Sequence, residues 1–193
     1  MAANKTYAAV VIGVSSGGMR ALEVILPLLP ADYGLPIMVV LHREKSSTDF
    51  ICRFLDDLSP LRVLEAEEKM IAQAGYIYIA PPNYHLQVEM DCSLSLTVDP
   101  PVNWSRPSVD VLFETAAEVY REKLVGVVLT GANSDGSRGL ARVKQLGGLV
   151  VIQTPETAEA PQMPQSAIDV VGGNNVLSLN DIGSFLALLR NDI

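Results

Sequence analysis

Short runs of β-branched and aliphatic residues alternate along almost the whole chain with segments whose apolar positions recur at helical spacing. The runs Tyr7–Val14, Pro36–Leu41, Leu61–Ala66, Tyr76–Ala80, Leu124–Leu129 and Leu149–Gln153 read as strands, most of them apolar enough to be covered on both faces. Between them lie helical patterns at Met19–Leu29, ended by Pro30, and at Thr48–Leu58, stopped before Pro60. Further helices are predicted at Val109–Arg121, at Arg138–Leu146 (closed by Gly147-Gly148), around Gln165–Val171 and at Asp181–Arg190, with a short strand at Asn175–Leu179. Ser108 is placed as the N-cap of the Val109 helix, and Asp110 is favourable in its first turn. This alternation predicts an α/β fold: a doubly wound, mostly parallel sheet with helices on both faces. One stretch breaks the rhythm. His85–Met90 and Ser93–Val98 flank Asp91-Cys92 and predict one antiparallel β-hairpin, followed by a rigid Asp99-Pro100-Pro101 loop.

No repeat, low-complexity tract or linker interrupts the 193 residues, so a single domain over 1–193 is expected. With 49% apolar and 19% charged residues, disorder is excluded. No apolar run is long enough to span a bilayer, so no membrane insertion is expected. Lys5 before the first apolar run gives a superficial likeness to a secretion signal, but that run leads straight into a Gly-rich turn and reads as a strand. A net charge of −8 argues against nucleic acid as a partner. Cys52 and Cys92 supply neither a disulfide framework nor a metal spacing, and with two histidines a structural zinc site is not expected. Cys52 falls on the apolar side of a helix and reads as core. The composition fits a cytoplasmic globular protein.

In open parallel sheets, ligands bind beyond the carboxyl ends of the strands, so reactive side chains there are the candidates. The first strand runs into Gly13-Val14-Ser15-Ser16-Gly17-Gly18 and then a helix, a G-x-S-x-G in a strand–turn–helix setting. Small neighbours permit a tight turn that lifts the Ser15 hydroxyl clear of the backbone, and the helix start offers N–H groups to an oxyanion. The same residues also suit a plain turn or a phosphate cradle, though the Gly-Lys-Ser/Thr ending of a Walker loop is absent. Two histidines are candidate bases. His42 directly follows the second strand, and His85 opens the hairpin. Asp135, in the Thr130–Gly136 loop after the Leu124–Leu129 strand, is a candidate partner for the imidazole; it suits equally a cap for the helix starting near Ser137. The order Ser…His…Asp differs from that of α/β-hydrolases.

The segments IGVSSGG, the strand-terminal His42, YIAPPNYH, DPPVNWSRPSVDVLF, VGVVLTGANSDGSRG and QMPQSAI follow one another over Ile12–Ile168. Together they resemble the catalytic domain of the chemotaxis receptor methylesterase (CheB) family, with RPSVDVLF and LTGxxxDG far more specific than G-x-S-x-G. The resemblance implies a doubly wound α/β domain with a hairpin. It implies hydrolysis of glutamate methyl esters on chemoreceptor helices with release of methanol, deamidation of receptor glutamines as a further activity, and no cofactor. By motif, Ser15 matches the nucleophile, His42 the base and Asp135 the orienting carboxylate. Ala132 matches an oxyanion-hole N–H, with Ser16 helping to shape the hole. Arg106 matches a position near the cleft, a candidate substrate contact or a structural group, and His85 matches a histidine that is not the base.

Three departures accompany the likeness. The family's serine-threonine pair is Ser15-Ser16 here, and Asn133 stands where many members have glycine, a position that would need Asn to tolerate positive φ. The first strand begins at residue 7, which leaves no room for the receiver domain that often precedes the esterase. A fragment, or a stand-alone esterase that is constitutive or served by a receiver protein in trans, is therefore expected. Arg20, Arg43, Lys45 and Arg106 are candidates for a local basic patch that would help an acidic chain meet acidic receptor helices. The competing functional classes are an esterase or amidase for another protein side chain, a non-catalytic signalling module using the same cleft for docking, and, more weakly, a nucleotide-binding domain.

Overall fold

The computed structural model describes residues 6–42 and 50–189; the predicted helix start at Thr48 and the basic residues Arg43 and Lys45 lie outside them. In chain order the elements are β1 (Ala9–Val14), α1 (Gly18–Ile25), β2 (Ile37–Leu41), α2 (Phe50–Leu58), β3 (Arg62–Glu65), β4 (Tyr76–Ile79), β5 (His85–Val88) and β6 (Leu94–Thr97). They continue with α3 (Val109–Tyr120), β7 (Leu124–Val128), α4 (Ser137–Gln145), β8 (Leu149–Gln153), α5 (Gln162–Val171), β9 (Val176–Leu177) and α6 (Leu179–Leu188). Seven strands form one sheet in the order β3-β4-β2-β1-β7-β8-β9, and every pair in it is parallel. The remaining two, β5 and β6, pair antiparallel as a separate ribbon.

The apolar strands are buried on both faces, which is why they read as continuous rather than alternating runs. On one face Val10, Ile12 and Val14 of β1 join Ile37, Val39 and Leu41 of β2 under Leu22 and Ile25 of α1, Leu55 of α2 and Ile182 of α6. On the other, Val11, Met38 and Val40 pack with Phe113 of α3, Leu140 of α4 and Met163 of α5. The hairpin joins this second core through Leu86, Val88 and Leu94.

Several boundaries shift for local reasons. Pro27 tightens the end of the first helix into a 3₁₀ turn over Leu26–Leu28, because proline has no N–H to continue the ladder. Pro164 lies inside the first turn of α5, where N–H groups lack helical partners anyway, so that helix starts earlier than expected. The hairpin turn is wider than Asp91-Cys92. Cys92 N–H donates to Glu89 C=O at 2.8 Å, Glu89 N–H donates to Ser93 C=O at 2.8 Å, and Cys92 adopts φ 65°.

Strand order reverses direction between β1 and β7: the chain builds outward from β1 through β2 on one side and from β7 through β8 on the other. The crevice beyond the carboxyl ends of β1, β2 and β7 is therefore where a ligand is expected.

Candidate active site

Ser15 is the first residue beyond β1. Its N–H donates to Thr130 C=O at 2.9 Å, and its own C=O accepts from Gly18 N–H at 2.8 Å, closing the turn into α1. Gly17 carries φ 77°, and a Cβ there would lie 2.7 Å from Glu159 Cβ, so both backbone sterics and space demand glycine. Gly131 is required by close approach: a Cβ would stand 2.9 Å from Ser15 Cβ and 1.9 Å from Met163 Sδ. Thr130 Oγ1 donates to Ser16 C=O at 2.8 Å and accepts from Ala160 N–H at 2.9 Å, while the buried Gln153 receives Thr130 N–H. The backbone around Ser15 is thus held through Thr130, which is itself fixed by Gln153 at the end of β8. The hydroxyl itself is half-exposed and has no hydrogen-bond partner among the described residues.

His42 follows β2, and the register Val14↔Leu41 sets it beside Ser15; its N–H donates to Val14 C=O at 3.0 Å. The imidazole is held at both nitrogens. Nε2 lies 2.9 Å from Asp135 Oδ2, and Nδ1 lies 3.2 Å from Asn133 Nδ2. The Asn133 side chain is oriented by its other end, since Oδ1 accepts the Asp135 N–H at 3.0 Å. Nδ2 therefore faces the ring as a donor, Nδ1 must be the acceptor, and the neutral ring carries its proton on Nε2, directed at the carboxylate.

Asp135 is fully buried and collects five donors. Besides His42 Nε2 they are Asn103 Nδ2 (3.0 Å), Ser108 Oγ (2.8 Å), Val109 N–H (2.7 Å) and Asp110 N–H (3.2 Å). Burial alone would push this carboxyl upward. The bonds from His42, Asn103 and Val109 N–H outweigh that and hold it below the usual carboxylate range.

Val109 and Asp110 open α3, so Asp135 supplies that helix with an acceptor from another element. Two expectations are corrected here. Asp135 does not cap the Ser137 helix, and Ser108, although at the N-cap position, gives its hydroxyl to Asp135 rather than to its own helix. The α4 terminus is served by Asp110, whose Oδ1 accepts Gly136 N–H (3.0 Å) and Gly139 N–H (2.7 Å). The loop before α4 thus supplies the carboxylate that serves the start of α3, α3 supplies the one that serves the start of α4, and Asn103 Nδ2 bridges the two acids at 2.8 and 3.0 Å. Burial and the neighbouring Asp135 charge push the Asp110 carboxyl up against the lowering effect of the Gly139 N–H and Asn103 bonds.

His85 is buried with both nitrogens occupied: Ser108 N–H donates to Nδ1, and Nε2 donates to Pro100 C=O, each at 3.2 Å. Arg106 makes four hydrogen bonds, two to Asn83 Oδ1 and one each to the Val98 and Asp99 carbonyls, leaving one of its five N–H groups. It pins three loops together. The Ser16 and Ala132 N–H groups have no partner among the described residues. Asn133 is not at positive φ, so the turn keeps its shape without the conformational tolerance expected of that residue. Arg20 is exposed in a groove beside the Ser15 turn, shared with Glu156 and Glu159. Among the described residues no cluster of His, Cys, Asp or Glu is arranged to hold a metal ion.

The profile described as CheB methylesterase matches residues 10–186. The chain belongs to the CheB methylesterase family. A Leptospira interrogans protein provisionally named protein-glutamate methylesterase/protein-glutamine glutaminase is 50% identical over 188 residues, covering 97% of both chains. A Symbiobacterium thermophilum protein-glutamate methylesterase/protein-glutamine glutaminase is 37% identical over 90% of this chain but 48% of its own length. The crystal structure of the Thermotoga maritima CheB methylesterase catalytic domain superposes with a TM-score of 0.90 at 36% identity, covering 95% of this chain and 98% of that one. The CheB fold expected from the motifs is the fold found. Asn103, Asp110 and Asn133 complete a polar network around His42 and Asp135 that motif reading alone did not assemble.

Proposed function

We propose that this CheB-family chain hydrolyses glutamate methyl esters on the cytoplasmic helices of chemoreceptors through Ser15, His42 and Asp135. The observation that carries the reading is the His42–Asp135 pair at the end of β2, which the β1–β2 register sets next to Ser15, whose hydroxyl has no partner among the described residues. With the ring proton on Nε2, Nδ1 is the basic nitrogen. It takes the Ser15 proton as Oγ attacks the ester carbonyl, and Asp135 stabilises the imidazolium. The Ser16 and Ala132 N–H groups receive the tetrahedral oxyanion. His42 returns the proton to the departing methoxide, releasing methanol. Water then repeats the sequence on the acyl-enzyme and frees the glutamate carboxylate. A glutamine side chain follows the same path with ammonia as the leaving group.

A methyl group offers almost no surface to grip, so selectivity resides in how the substrate helix lies across the loops. The one Arg106 N–H without a partner among the described residues would be available to such a helix, as would Arg20 at the groove beside the Ser15 turn. Control by a receiver protein in trans and a cytoplasmic location fit the same reading, and among the described residues no helix is long and apolar enough to cross a membrane. The test is methanol release from methylated chemoreceptor membranes by the wild-type chain and by Ser15→Ala. Release by the wild type alone supports the reading, and equal release by both rejects it.

A further inference from the structure

The nitrogen that must accept the serine proton is already occupied. His42 Nδ1 receives the Asn133 amide at 3.2 Å, while the Ser15 hydroxyl makes no hydrogen bond among the described residues. The Asn133 amide is not free to turn away cheaply, because Oδ1 is tied to the Asp135 N–H at 3.0 Å. One short side chain thus spans the base and the backbone of the acid that orients it. We propose that Asn133 is a latch: its amide holds the lone pair of His42 in the resting enzyme, and Ser15 must displace it for the nucleophile to be activated.

The inference rests on the proposed serine mechanism and adds to it a residue that acts through His42, without touching the substrate. A neutral imidazole nitrogen has a single lone pair in the ring plane, so it cannot accept fully from Asn133 and Ser15 together. Whatever the amide gains at Nδ1 is therefore subtracted from the serine. The net worth of one such bond sets the scale, roughly a fivefold bias. Ordering of the active site by a substrate helix would offset that bias, whereas a small reagent would meet it in full.

The decisive variant keeps the turn and removes the donor. Asn133→Ser retains a side-chain oxygen that can accept the Asp135 N–H, as Ser does in Asx-like turns, but is too short to reach the ring. The probe is a small alkyl fluorophosphonate, which forms an Oγ–P bond at Ser15 and expels fluoride as the hydroxyl proton passes to His42. Phosphonylation of Asn133→Ser is expected to run roughly fivefold faster than that of the wild type, by the weight of one net hydrogen bond. In ¹⁵N-histidine-labelled protein, the His42 Nδ1 resonance should move toward that of an acceptor with no donor. Asn133→Gly provides the same comparison if the serine variant fails to fold. An unchanged or slower rate with an unmoved Nδ1 resonance overturns the latch. Labelling of the wild type but not of Ser15→Ala keeps the serine mechanism standing in that case. A wild-type chain that the probe does not label at Ser15 overturns the mechanism and the latch together.

Discussion

Ser15 and Asp135 stand on either side of His42 in the proposed mechanism, and their surroundings could hardly differ more. Asp135 is sealed from water, gathers five donors and joins two helices. The Ser15 backbone is equally well fixed, but its hydroxyl is half-exposed and free of bonds among the described residues. The contrast follows from what each group would do. A carboxylate that stabilises a transient imidazolium works best when its dipolar surroundings are already in place, since reorganisation would cost energy at the moment of reaction. A nucleophile has to move toward carbon, and bonds held in the ground state would slow it. In the proposed mechanism stability and reactivity are therefore separated: Asp135 would belong to the fold as much as to the chemistry, and the Ser15 oxygen to the chemistry alone.

The sharpest way to break this comparison is at its ends. Ser15→Ala is expected to remove hydrolysis entirely while shifting unfolding free energy by no more than about 0.5 kcal/mol, as for a change that leaves no buried group unpaired. Methanol release beside urea titration measures both, and a clear loss of stability would contradict the division. Asp135→Ala is expected to lower kcat by about 10⁴ and, unlike the serine variant, to cost roughly 3–5 kcal/mol of stability, the range for breaking a buried pair. Urea unfolding that matched the wild type would show that the α3 terminus does not depend on it.

Acid sharpens the difference further. Because Asp135 is held below the usual carboxylate range, the folded state binds fewer protons there than the unfolded chain. Its stabilising contribution is complete above about pH 4 and is lost as pH falls through its lowered value. Asp110, raised, has the opposite sign: its ionised form costs stability as pH rises above about 4, and that cost disappears below. In Asp135→Asn the stability deficit relative to wild type is expected to shrink as pH drops below about 4, which urea midpoints across the range would reveal. A constant deficit would place the effect in packing instead. The smallest effect on turnover is expected for His85→Gln, less than tenfold, with a stability cost of about 1–3 kcal/mol from the stranded Ser108 N–H and Pro100 carbonyl. A large loss of kcat with intact stability would return His85 to the candidates for the base.

Much of this architecture was legible in the order of residues. Strands such as Ala9–Val14 and Leu124–Val128 are apolar on both faces, and only a sheet with two helical layers buries them. Ser15, His42 and the Asp135 loop were also legible as neighbours, because all follow strands whose carboxyl ends share one edge. The exchanged caps were not. Asp110 looks like an ordinary first-turn acid, and nothing local says that its carboxylate reaches Gly136 and Gly139 on another helix. Asn103 was equally silent. It sits at φ 49° beside Trp104 at φ 63°, in a tight turn closed by the Val102–Ser105 pair and lacking the glycine that usually announces such geometry. Asn133 was noticed for its backbone, whereas its side chain turned out to matter.

The exchange of caps between α3 and α4 also bears on how such chains change over generations. A carboxylate that a neighbouring helix terminus depends upon is guarded by selection for folding, whether or not the protein still turns over an ester. A descendant that had given up hydrolysis for a purely scaffolding life would be expected to keep Asp135 and Asp110 and to let Ser15 drift. For judging whether a distant cousin of this fold is still a working esterase, the loosely held serine is the more informative letter, and the deeply buried acid the less.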